Sequence, residues 1–273
     1  TAASFYPHGT IFIQPSGVPN WEKLDKPQPS RFVSGHFCFG PNKWAKEIKH
    51  DPDIYFSGEE LDLTVRSFTH GYDLFHPHRL IIWHATMREE RDGILVWDDQ
   101  SKAGNPMWHE KQTSGRAKIR QKLRVEDNGF DLTGYDLGTV RTLRDYEKYA
   151  GIHFKKKSFQ KYTKDLKFPP NPIIEDEQEW EDSFMFSFYH LVNIDKKILS
   201  GNDYDFILVA FDDINGDSIN SEFISDSRLK RFLEGNYDIH YEAMFHTDKQ
   251  PTQLVYWGHS EKRGWAEKEV IDI

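Results

Sequence analysis

Short apolar runs separated by turn-forming residues mark the N-terminal part of the chain. Glycine and proline crowd residues 5–30, around one strand-like run at 10–13, which is typical of a loop-rich segment. Residues 32–39 alternate small and aromatic side chains, a pattern that predicts a strand carrying Gly35. Asn42 can cap a short helix directly after it. We therefore expect short strands and a short helix before the first amphipathic helix.

The first amphipathic helix is predicted to begin just after Ser57. Apolar residues at Leu61, Val65 and Phe68 share one helical face. Ser57 is the predicted N-cap, and Glu60 stands at the position that completes a capping box. The helix should therefore carry acidic residues in its first turn and bury its apolar face.

Further helices and strands are predicted in the next hundred residues. A polar helix is expected over residues 114–123, and a shorter one over 142–150. Thr142 should cap the shorter helix and Gly151 should end it. The apolar run at 80–83 is typical of a short buried strand.

The C-terminal part of the chain is predicted to form β-strands. Strand patterns occur at residues 184–192, 206–211, 239–245 and 253–257. A proline-rich stretch at 169–172 separates a basic segment from an acidic one, which is typical of a boundary between domains. We therefore predict two domains, 1–168 and 169–273, of which the second is a small β-sandwich.

Composition and charge exclude several classes of protein. Aromatic residues make up 15% of the chain although only 37% of it is hydrophobic, so large rings can supply a core. The net charge of -9 argues against nucleic acid and anionic membranes as partners. No window reaches the roughly 20 apolar residues of a membrane span.

The single cysteine, Cys38, excludes an internal disulfide framework and a thiolate-rich zinc site. It is compatible with a reducing compartment. The N-terminal residues lack the basic and apolar regions of a signal peptide, and the natural protein is expected to extend further upstream.

The densest concentration of chemically active side chains lies in residues 58–88. This segment contains four histidines, at positions 70, 76, 78 and 84, together with several carboxylates. Imidazole nitrogen and carboxylate oxygen suit Mn, Fe or Zn, so one hypothesis is an iron or zinc enzyme. The alternative is that surface histidines flank a turn, because no HExxH motif or similar spacing appears.

Five motifs carry a resemblance to a known family. They are SGHFCFG (34–40), DPDIYFSGEE (51–60), VRSFTHGYDLFHPH (65–78), IIWHATMR (81–88) and LGTVRTL (137–143). Together, over about residues 30–155, they resemble glycosyltransferase family sixty, the polypeptide α-N-acetylglucosaminyltransferases. They are more distantly similar to the end of the catalytic domain of polypeptide GalNAc-transferases.

The resemblance implies a fold and an activity. It implies an α/β fold in which part of a GT-A-like glycosyltransferase core precedes the β-rich domain. The implied reaction is retaining transfer of GlcNAc, or a related sugar, from a UDP-sugar to a hydroxyl of a protein or glycan, with Mn²⁺ or Mg²⁺ bridging the pyrophosphate. Named members include cytoplasmic enzymes, which implies a cytoplasmic location.

The resemblance also implies site residues. His84 corresponds to the metal ligand that closes the last strand of the pattern, and Glu59, with Glu60 beside it, corresponds to the catalytic acidic residue that contacts the donor sugar. Further residues are expected to bind the donor or acceptor: Gly35, His36, Gly58, Arg66, His70, Gly71, Tyr72, Asp73 and Arg88.

Structural explanations compete with several of these roles. Glu59 and Glu60 also suit the positive N-terminus of a helix. Arg66 can equally form a structural ion pair. Trp257 and Trp265 can form a sugar-stacking platform or the core of the β-sandwich. A non-catalytic carbohydrate- or protein-binding module on a glycosyltransferase-like scaffold is therefore the alternative function.

One departure from the pattern concerns the metal. Enzymes of this type carry an Asp-x-Asp or Asp-x-His motif in an N-terminal nucleotide-binding half. Asp51-Pro52-Asp53 and Asp203-Tyr204-Asp205 lie at the wrong places in the order of motifs to replace it. We therefore expect this chain to be the C-terminal part of such a domain.

Overall fold

The computed structural model describes residues 2–6, 8–14, 17–18, 20–56, 58–82, 108–194, 203–234 and 238–273. It is a mixed α/β structure with several small antiparallel sheets. The chain divides into two compact units, Thr1–Phe184 and Met185–Ile273, called here the N-terminal and C-terminal units. The GT-A-like core and the β-sandwich stay predictions.

Helices dominate the described part of the N-terminal unit. They are a 3-10 helix at Trp21–Lys23 and α-helices α1 (Asn42–Glu47), α2 (Glu59–Thr69), α3 (Trp108–Lys122), α4 (Leu143–Ala150), α5 (Lys161–Lys164) and α6 (Glu177–Asp182). Its strands pair as short antiparallel ladders: β1 (Ala2–Phe5) with β2 (Ile11–Gln14), β3 (Gln28–Pro29) with β4 (Phe75–His76), and β5 (Ile152–His153) with β6 (Ser158–Phe159).

The core of this unit confirms the predicted face of α2. Leu61, Val65 and Phe68 are all buried, and each such side chain contributes about 1.5–3 kcal/mol by leaving water. Phe68 meets Tyr146 of α4 edge to face, with ring centroids 5.3 Å apart. Packing of α2 against α4 therefore fixes the helix whose first turn carries Glu59 and Glu60.

The N-cap of α2 differs from the prediction. Gly58 occupies the cap, with φ of 106°, a left-handed conformation that favours glycine. A Cβ atom there would lie 2.2 Å from Cδ1 of Ile119. Ser57, the predicted cap, lies outside the described residues.

A buried charge cluster joins α2 to α3 and to the loop before α2. The Lys122 ammonium lies 2.7 Å from Asp51 and 2.6 Å from Asp62, and Lys118 contacts Asp51 at 3.0 Å. Arg66 pairs with Asp62 at 3.1 Å. Burial alone would raise the pKa of Asp51, but hydrogen bonds from Lys122 and Lys118 hold it below its ordinary value.

The predicted strand over residues 32–39 is wrong. These residues form turns and irregular backbone, and two of their amide groups bond to side chains of α2 instead of to a strand. The Val33 N–H donates to Thr64 Oγ1 at 2.8 Å, and the Gly35 N–H donates to Glu60 Oε1 at 2.6 Å. The strand predicted at 80–83 is also not formed over 80–82, and Trp83 lies outside the described residues.

The prediction for α4 is confirmed at both ends. Thr142 and Asp145 form a reciprocal capping box, and Gly151 follows the helix with φ of 63°. A Cβ atom on Gly151 would lie 1.9 Å from Nδ2 of Asn171. This tight contact shows that the chain beyond residue 168 packs on the N-terminal unit.

Contacts of residues 169–184 explain why the compact unit extends to Phe184. Asn171 accepts a hydrogen bond from Arg31 at 2.6 Å. Trp180 of α6 is buried, and the Arg144 guanidinium lies 3.9 Å from its ring centroid. The prediction assigned these residues to the second domain.

The C-terminal unit consists mainly of antiparallel strands. They are β7 (Phe186–Ile194), β8 (Phe206–Asp212), β9 (Ser218–Ile224), β10 (Ile239–Thr247), β11 (Gln253–Ser260), β12 (Gly264–Trp265) and β13 (Glu269–Asp272), with helix α7 (Asp226–Glu234). β7 pairs with β10. The other strands form a sheet in the order β12-β11-β8-β9, and β13 also pairs with β11.

One buried cluster contains residues from both sheets and the helix of this unit. Val192 of β7, Ile207 of β8, Phe232 of α7, Ile239 of β10 and Tyr256 of β11 all belong to it. The four predicted strands are confirmed, with ends that differ by a few residues. The strands β9, β12 and β13 and the helix α7 were not predicted.

Candidate functional site

The first turn of α2 holds a loop across the start of the helix. Glu60 and Thr64 lie one turn apart on α2, and each accepts a hydrogen bond from the backbone of residues 33–35. A Cβ atom on Gly35 would lie 3.3 Å from the Glu60 carboxylate, so the loop approaches α2 closely. Gly35 and Glu60, which the sequence assigned to one site, are therefore in direct contact.

A cavity of about 230 Å³ lies beside this loop. Its polar lining includes Arg31, Ser34, His36, Glu60 and His76. The structure thus brings the predicted site residues His36 and Glu60 to one cavity. A concave site with a few convergent polar groups is the usual form of a small-molecule site.

The Arg31 guanidinium supplies a fixed positive charge beside the cavity. It is buried, and it donates to the carbonyl oxygen of Ala150 at 2.7 Å and to Asn171 Oδ1 at 2.6 Å. Burial lowers the pKa of Arg31 to about 10, so it stays protonated at neutral pH. Burial and nearby positive charge, including that of Arg31, lower the pKa of His76, which favours the neutral imidazole.

Glu59 precedes Glu60 on α2 and carries an unsatisfied oxygen. Its Oε2 atom is buried and has no hydrogen-bond partner among the described residues. Burial raises the pKa of Glu59, and the negative charge of Glu60 raises it further. A hydrogen bond from its own backbone amide and the nearby His50 and His36 act in the opposite direction, but the net pKa is raised. A buried carboxylate oxygen without a partner is energetically unfavourable.

Cys38 lies on the same loop. Its thiol donates to the carbonyl oxygen of Ser34 at 2.7 Å. Local desolvation, together with the negative charge of Glu60, raises the pKa of Cys38. The thiol is therefore largely protonated at neutral pH.

Arg66 lies away from the cavity. Its side chain is 1% exposed and donates to Asp62 at 3.1 Å and to the Lys49 carbonyl oxygen at 2.7 Å. Its guanidinium also lies 5.5 Å from the Tyr135 ring centroid. These contacts favour the ion-pair interpretation of Arg66 over the donor-binding one.

The remaining described candidates cluster at the other end of α2, about 15 Å along the helix axis from its first turn. His70 Nδ1 lies 2.7 Å from the Arg66 carbonyl oxygen. The Tyr72 hydroxyl donates to Glu47, and Asp73 pairs with Arg141 at 2.7 Å. Gly71 lies between them in the turn after the helix. The structure therefore separates these residues from Glu59 and Glu60.

The predicted metal ligand His84 and the predicted cation Arg88 both lie outside the described residues. Within the described residues, no group of three or more His, Cys, Asp or Glu side chains could hold a metal ion. The side chains described at the cavity therefore do not by themselves form a metal site.

A comparison with protein families decides the class of this protein. A family model described as glycosyltransferase (GlcNAc) matches residues 1–156, which is more than half of the chain. The chain belongs to this glycosyltransferase family. The match contains α2, the loop at Gly35 and the cavity residues Arg31 and His76. No curated protein and no solved structure shows a significant match.

The extent of the match sharpens the sequence prediction. The resemblance was placed over about residues 30–155, and the GlcNAc glycosyltransferase match ends at 156 but begins at residue 1. A glycosyltransferase uses a sugar donor and an acceptor. None of the helices in the described ranges is long and apolar enough to cross a membrane.

Sequence reasoning missed several residues that line the cavity of this glycosyltransferase, among them Arg31 and His76. Arg31 has its partners 119 and 140 residues away, so no local pattern identifies it. His76 belongs to the predicted histidine cluster, but its position beside proline suggested only a turn. Its pairing in β4 with Gln28 of β3 is what places it at the cavity.

Proposed function

We propose that this protein transfers GlcNAc, or a related sugar, from a UDP-sugar to a hydroxyl group of a protein or glycan, with retention of configuration. Its motifs resemble glycosyltransferase family sixty, the polypeptide α-N-acetylglucosaminyltransferases. A cytoplasmic location accompanies this proposal, because named members of that family are cytoplasmic.

The observation that carries the proposal is the cavity at the start of α2, within the region that matches the glycosyltransferase family. Glu60 and His36 line it together with His76, and Arg31 places a buried positive charge beside it. A sugar linked to a diphosphate presents both hydroxyl groups and negative charge, and this lining supplies partners for both.

Glu59 and Glu60 are proposed to bind hydroxyl groups of the donor sugar. Glu60 already accepts the Gly35 amide at 2.6 Å through one oxygen, which orients its carboxylate. Glu59 Oε2 has no partner among the described residues but is closed to solvent, so accepting a donor hydroxyl requires a local rearrangement of the first turn of α2. Two such contacts would fix the sugar ring in one orientation, which lowers the entropic barrier to reaction.

The proposed chemistry needs no strong base from the protein. In a retaining transfer on one face of the sugar, the departing phosphate oxygen can take the proton of the acceptor hydroxyl. Positive charge near the leaving group, such as that of Arg31, stabilises the negative charge that develops there. The arrangement thus supports catalysis through charge and orientation.

A divalent cation, Mn²⁺ or Mg²⁺, is proposed from the family resemblance, with His84 as one ligand. When bound, such a cation neutralises charge on the diphosphate. His84 lies outside the described residues, so its role rests on its position in the motif IIWHATMR.

The test measures release of UDP from UDP-GlcNAc by the full-length protein, with Mn²⁺ and with a chelator. We expect turnover that the chelator abolishes, and we expect Glu60→Gln to reduce kcat/KM about tenfold or more while the control Glu22→Gln leaves it unchanged. Glu22 is exposed in the 3-10 helix.

Calorimetry of UDP binding separates this proposal from the alternative. Metal-dependent binding of UDP is expected. Glycan binding without UDP binding or turnover, with or without Mn²⁺, would instead identify a non-catalytic carbohydrate-binding module.

A further inference from the structure

The sheet of the C-terminal unit carries a second set of aromatic residues outside its core. Along β8, Ile207 and Val209 belong to the buried cluster of that unit. Phe206 and Leu208 alternate with them, so they lie on the opposite face of the sheet. On β11, Tyr256 is likewise in the core, whereas Trp257 is on the other face.

Strand register places these residues in two adjacent rows. In the first row, Leu208 of β8 is opposite Phe223 of β9 on one side and Trp257 of β11 on the other. In the second row, His259 of β11 is opposite Phe206 of β8 and Trp265 of β12. The two rows, Phe223-Leu208-Trp257 and Phe206-His259-Trp265, are called here the aromatic face.

Ring contacts within the aromatic face make it a continuous surface. The Trp257 and Trp265 ring centroids lie 4.3 Å apart, and His259 stacks on Phe206 at 4.8 Å with an interplanar angle of 9°. Phe206 also meets Phe223 edge to face at 5.3 Å. The rings therefore support one another and offer a preformed surface.

The aromatic face is accessible at both ends. Phe223 is 59% exposed and Trp265 is 44% exposed. The indole N–H of Trp257 donates to the Ala266 carbonyl oxygen at 2.8 Å, so its polar edge is already satisfied. Exposed large rings that are not needed for the core are typical of binding sites.

The size of the aromatic face indicates a small ligand. The six residues lie on four neighbouring strands about 4.8 Å apart, with two residues about 7 Å apart on β8 and on β11 and one residue each on β9 and β12, which gives an area on the order of 100 Å². A stable protein interface buries about 800 Å² on each partner. A second protein molecule would therefore need much more surface than this face offers.

The chemistry of the aromatic face indicates a sugar. The C–H face of a pyranose ring is apolar and packs on aromatic rings, while its hydroxyl groups need polar partners at the edge. The half-exposed Asp205 carboxylate lies 3.9 Å from His259 Nδ1 and accepts the Glu261 N–H, and its remaining lone pairs can accept from a hydroxyl group. None of the six residues of the two rows is Lys or Arg, so an anionic ligand is disfavoured.

We propose that the aromatic face of the C-terminal unit binds a GlcNAc-containing oligosaccharide by stacking sugar rings on Trp265, Trp257 and Phe223. Because the chain belongs to a glycosyltransferase family, carbohydrate is the ligand class that its other part already handles. The inference does not depend on the donor, the metal or the reaction proposed above.

The test titrates the full-length protein with N,N′,N″-triacetylchitotriose and follows tryptophan fluorescence and calorimetric heat. We expect saturable binding without UDP. Trp265→Ala should weaken it about tenfold or more, which corresponds to about 1.4 kcal/mol, and Phe223→Ala should also weaken it. The matched control is Trp21→Ala, since Trp21 is 48% exposed in the other unit and its loss should leave binding unchanged.

Further variants and measurements distinguish loss of stacking from loss of folding. Trp265→Phe keeps a ring and should retain most of the binding, which separates stacking from loss of folding. UDP release should be unchanged in Trp265→Ala, whereas Glu60→Gln should bind chitotriose normally. Absence of saturable binding, or equal binding by Trp265→Ala, Phe223→Ala and the unmodified protein, would overturn the proposal. Concentration-dependent dimerisation that Trp265→Ala abolishes, without sugar binding, would overturn it as well.

Discussion

At the scale of single residues, Glu59 combines an unfavourable position in the free protein with a proposed role in binding. Its Oε2 atom is buried without a partner among the described residues, and burial raises its pKa. Sites that bind ligands often retain groups that lower the stability of the free protein. The stability of the protein should therefore depend on whether this carboxyl group is charged.

We expect Glu59→Gln to raise the melting temperature at neutral pH. A carboxyl group whose folded pKa is raised contributes stability below its unfolded pKa of about 4.3 and loses it as pH rises through the folded value. The melting temperatures of the variant and the unmodified protein should therefore differ above the folded pKa of Glu59 and converge below its unfolded pKa of about 4.3. Thermal melts from pH 4 to 8 measure this, and an equal loss of stability at every pH would contradict it.

Gly151 illustrates how one glycine can be required for two reasons. It has a positive φ of 63°, and a Cβ atom would overlap Asn171 Nδ2 at 1.9 Å. The left-handed conformation alone costs about 1–2 kcal/mol in a residue with a side chain. Overlap in a packed site adds about 1–3 kcal/mol.

Gly151→Ala is therefore expected to reduce the free energy of unfolding by about 2–5 kcal/mol. Gly129→Ala is the matched control, because Gly129 has φ of 71° but no atom within 4 Å of its Cβ position. It should lose only the smaller, conformational part. Urea unfolding measures both, and equal losses would show that contact with Asn171 contributes nothing.

At the scale of elements, the buried charge cluster fixes α2 against α3. Lys122 contacts both Asp51 and Asp62, which also pair with Lys118 and Arg66, and its side chain is 1% exposed. Removing one partner of such a group leaves buried charge uncompensated. The position of the first turn of α2, and with it Glu60, depends on this cluster.

Lys122→Met is expected to destabilise the protein by about 3–5 kcal/mol. The control Lys161→Met removes a cation that pairs with Asp165 at the surface, where the two side chains are 64% and 43% exposed, respectively. It should change stability by less than about 1 kcal/mol. Chemical denaturation compares the two. Similar small effects would mean that the buried cluster does not secure α2.

How far the elements could be predicted depended on where their partners lie in the sequence. The helices α2 and α4 were predicted because their apolar spacing is a local signal, and α4 also has local caps at Thr142 and Gly151. The loop at Gly35 was wrongly predicted as a strand because its amide partner, Glu60, lies 25 residues further on. An alternating pattern does not reveal that a distant side chain, rather than the backbone of a neighbouring strand, will accept the hydrogen bond from an amide.

The candidate site shows the same limit. The sequence grouped Gly35, His36 and Glu60, and the structure places His36 and Glu60 at one cavity and Gly35 in contact with Glu60. It also grouped Arg66 and Asp73 with them, although ion pairs within the protein hold both elsewhere. Motifs show which residues belong to a family pattern, but burial and contacts decide which of them can reach a ligand.

At the scale of the whole molecule, the family match and the compact N-terminal unit do not end together. The match ends at residue 156, and the unit extends to Phe184. The additional segment lines the cavity with Lys167 and Phe168. It also contributes Asn171, which bonds to Arg31. The segment beyond the match therefore completes the proposed donor site.

Asn171→Ala is expected to destabilise the protein by about 1–3 kcal/mol, because it leaves a buried donor of Arg31 without its acceptor. It should also weaken UDP binding, since Arg31 loses an anchor. Asn128→Ala, at an exposed position in the segment after α3, is the control for stability and binding. Normal UDP affinity in Asn171→Ala would separate this segment from the site.

The loop across α2 also has a spectroscopic consequence. Cys38 is the single cysteine of the chain, and it is on the same loop as His36, beside the carboxylate of Glu60. A fluorophore attached to its thiol would report on the cavity without any engineered mutation. Because its pKa is raised, labelling needs mildly alkaline buffer, and a sugar nucleotide in the cavity should slow the reaction by restricting movement of the loop.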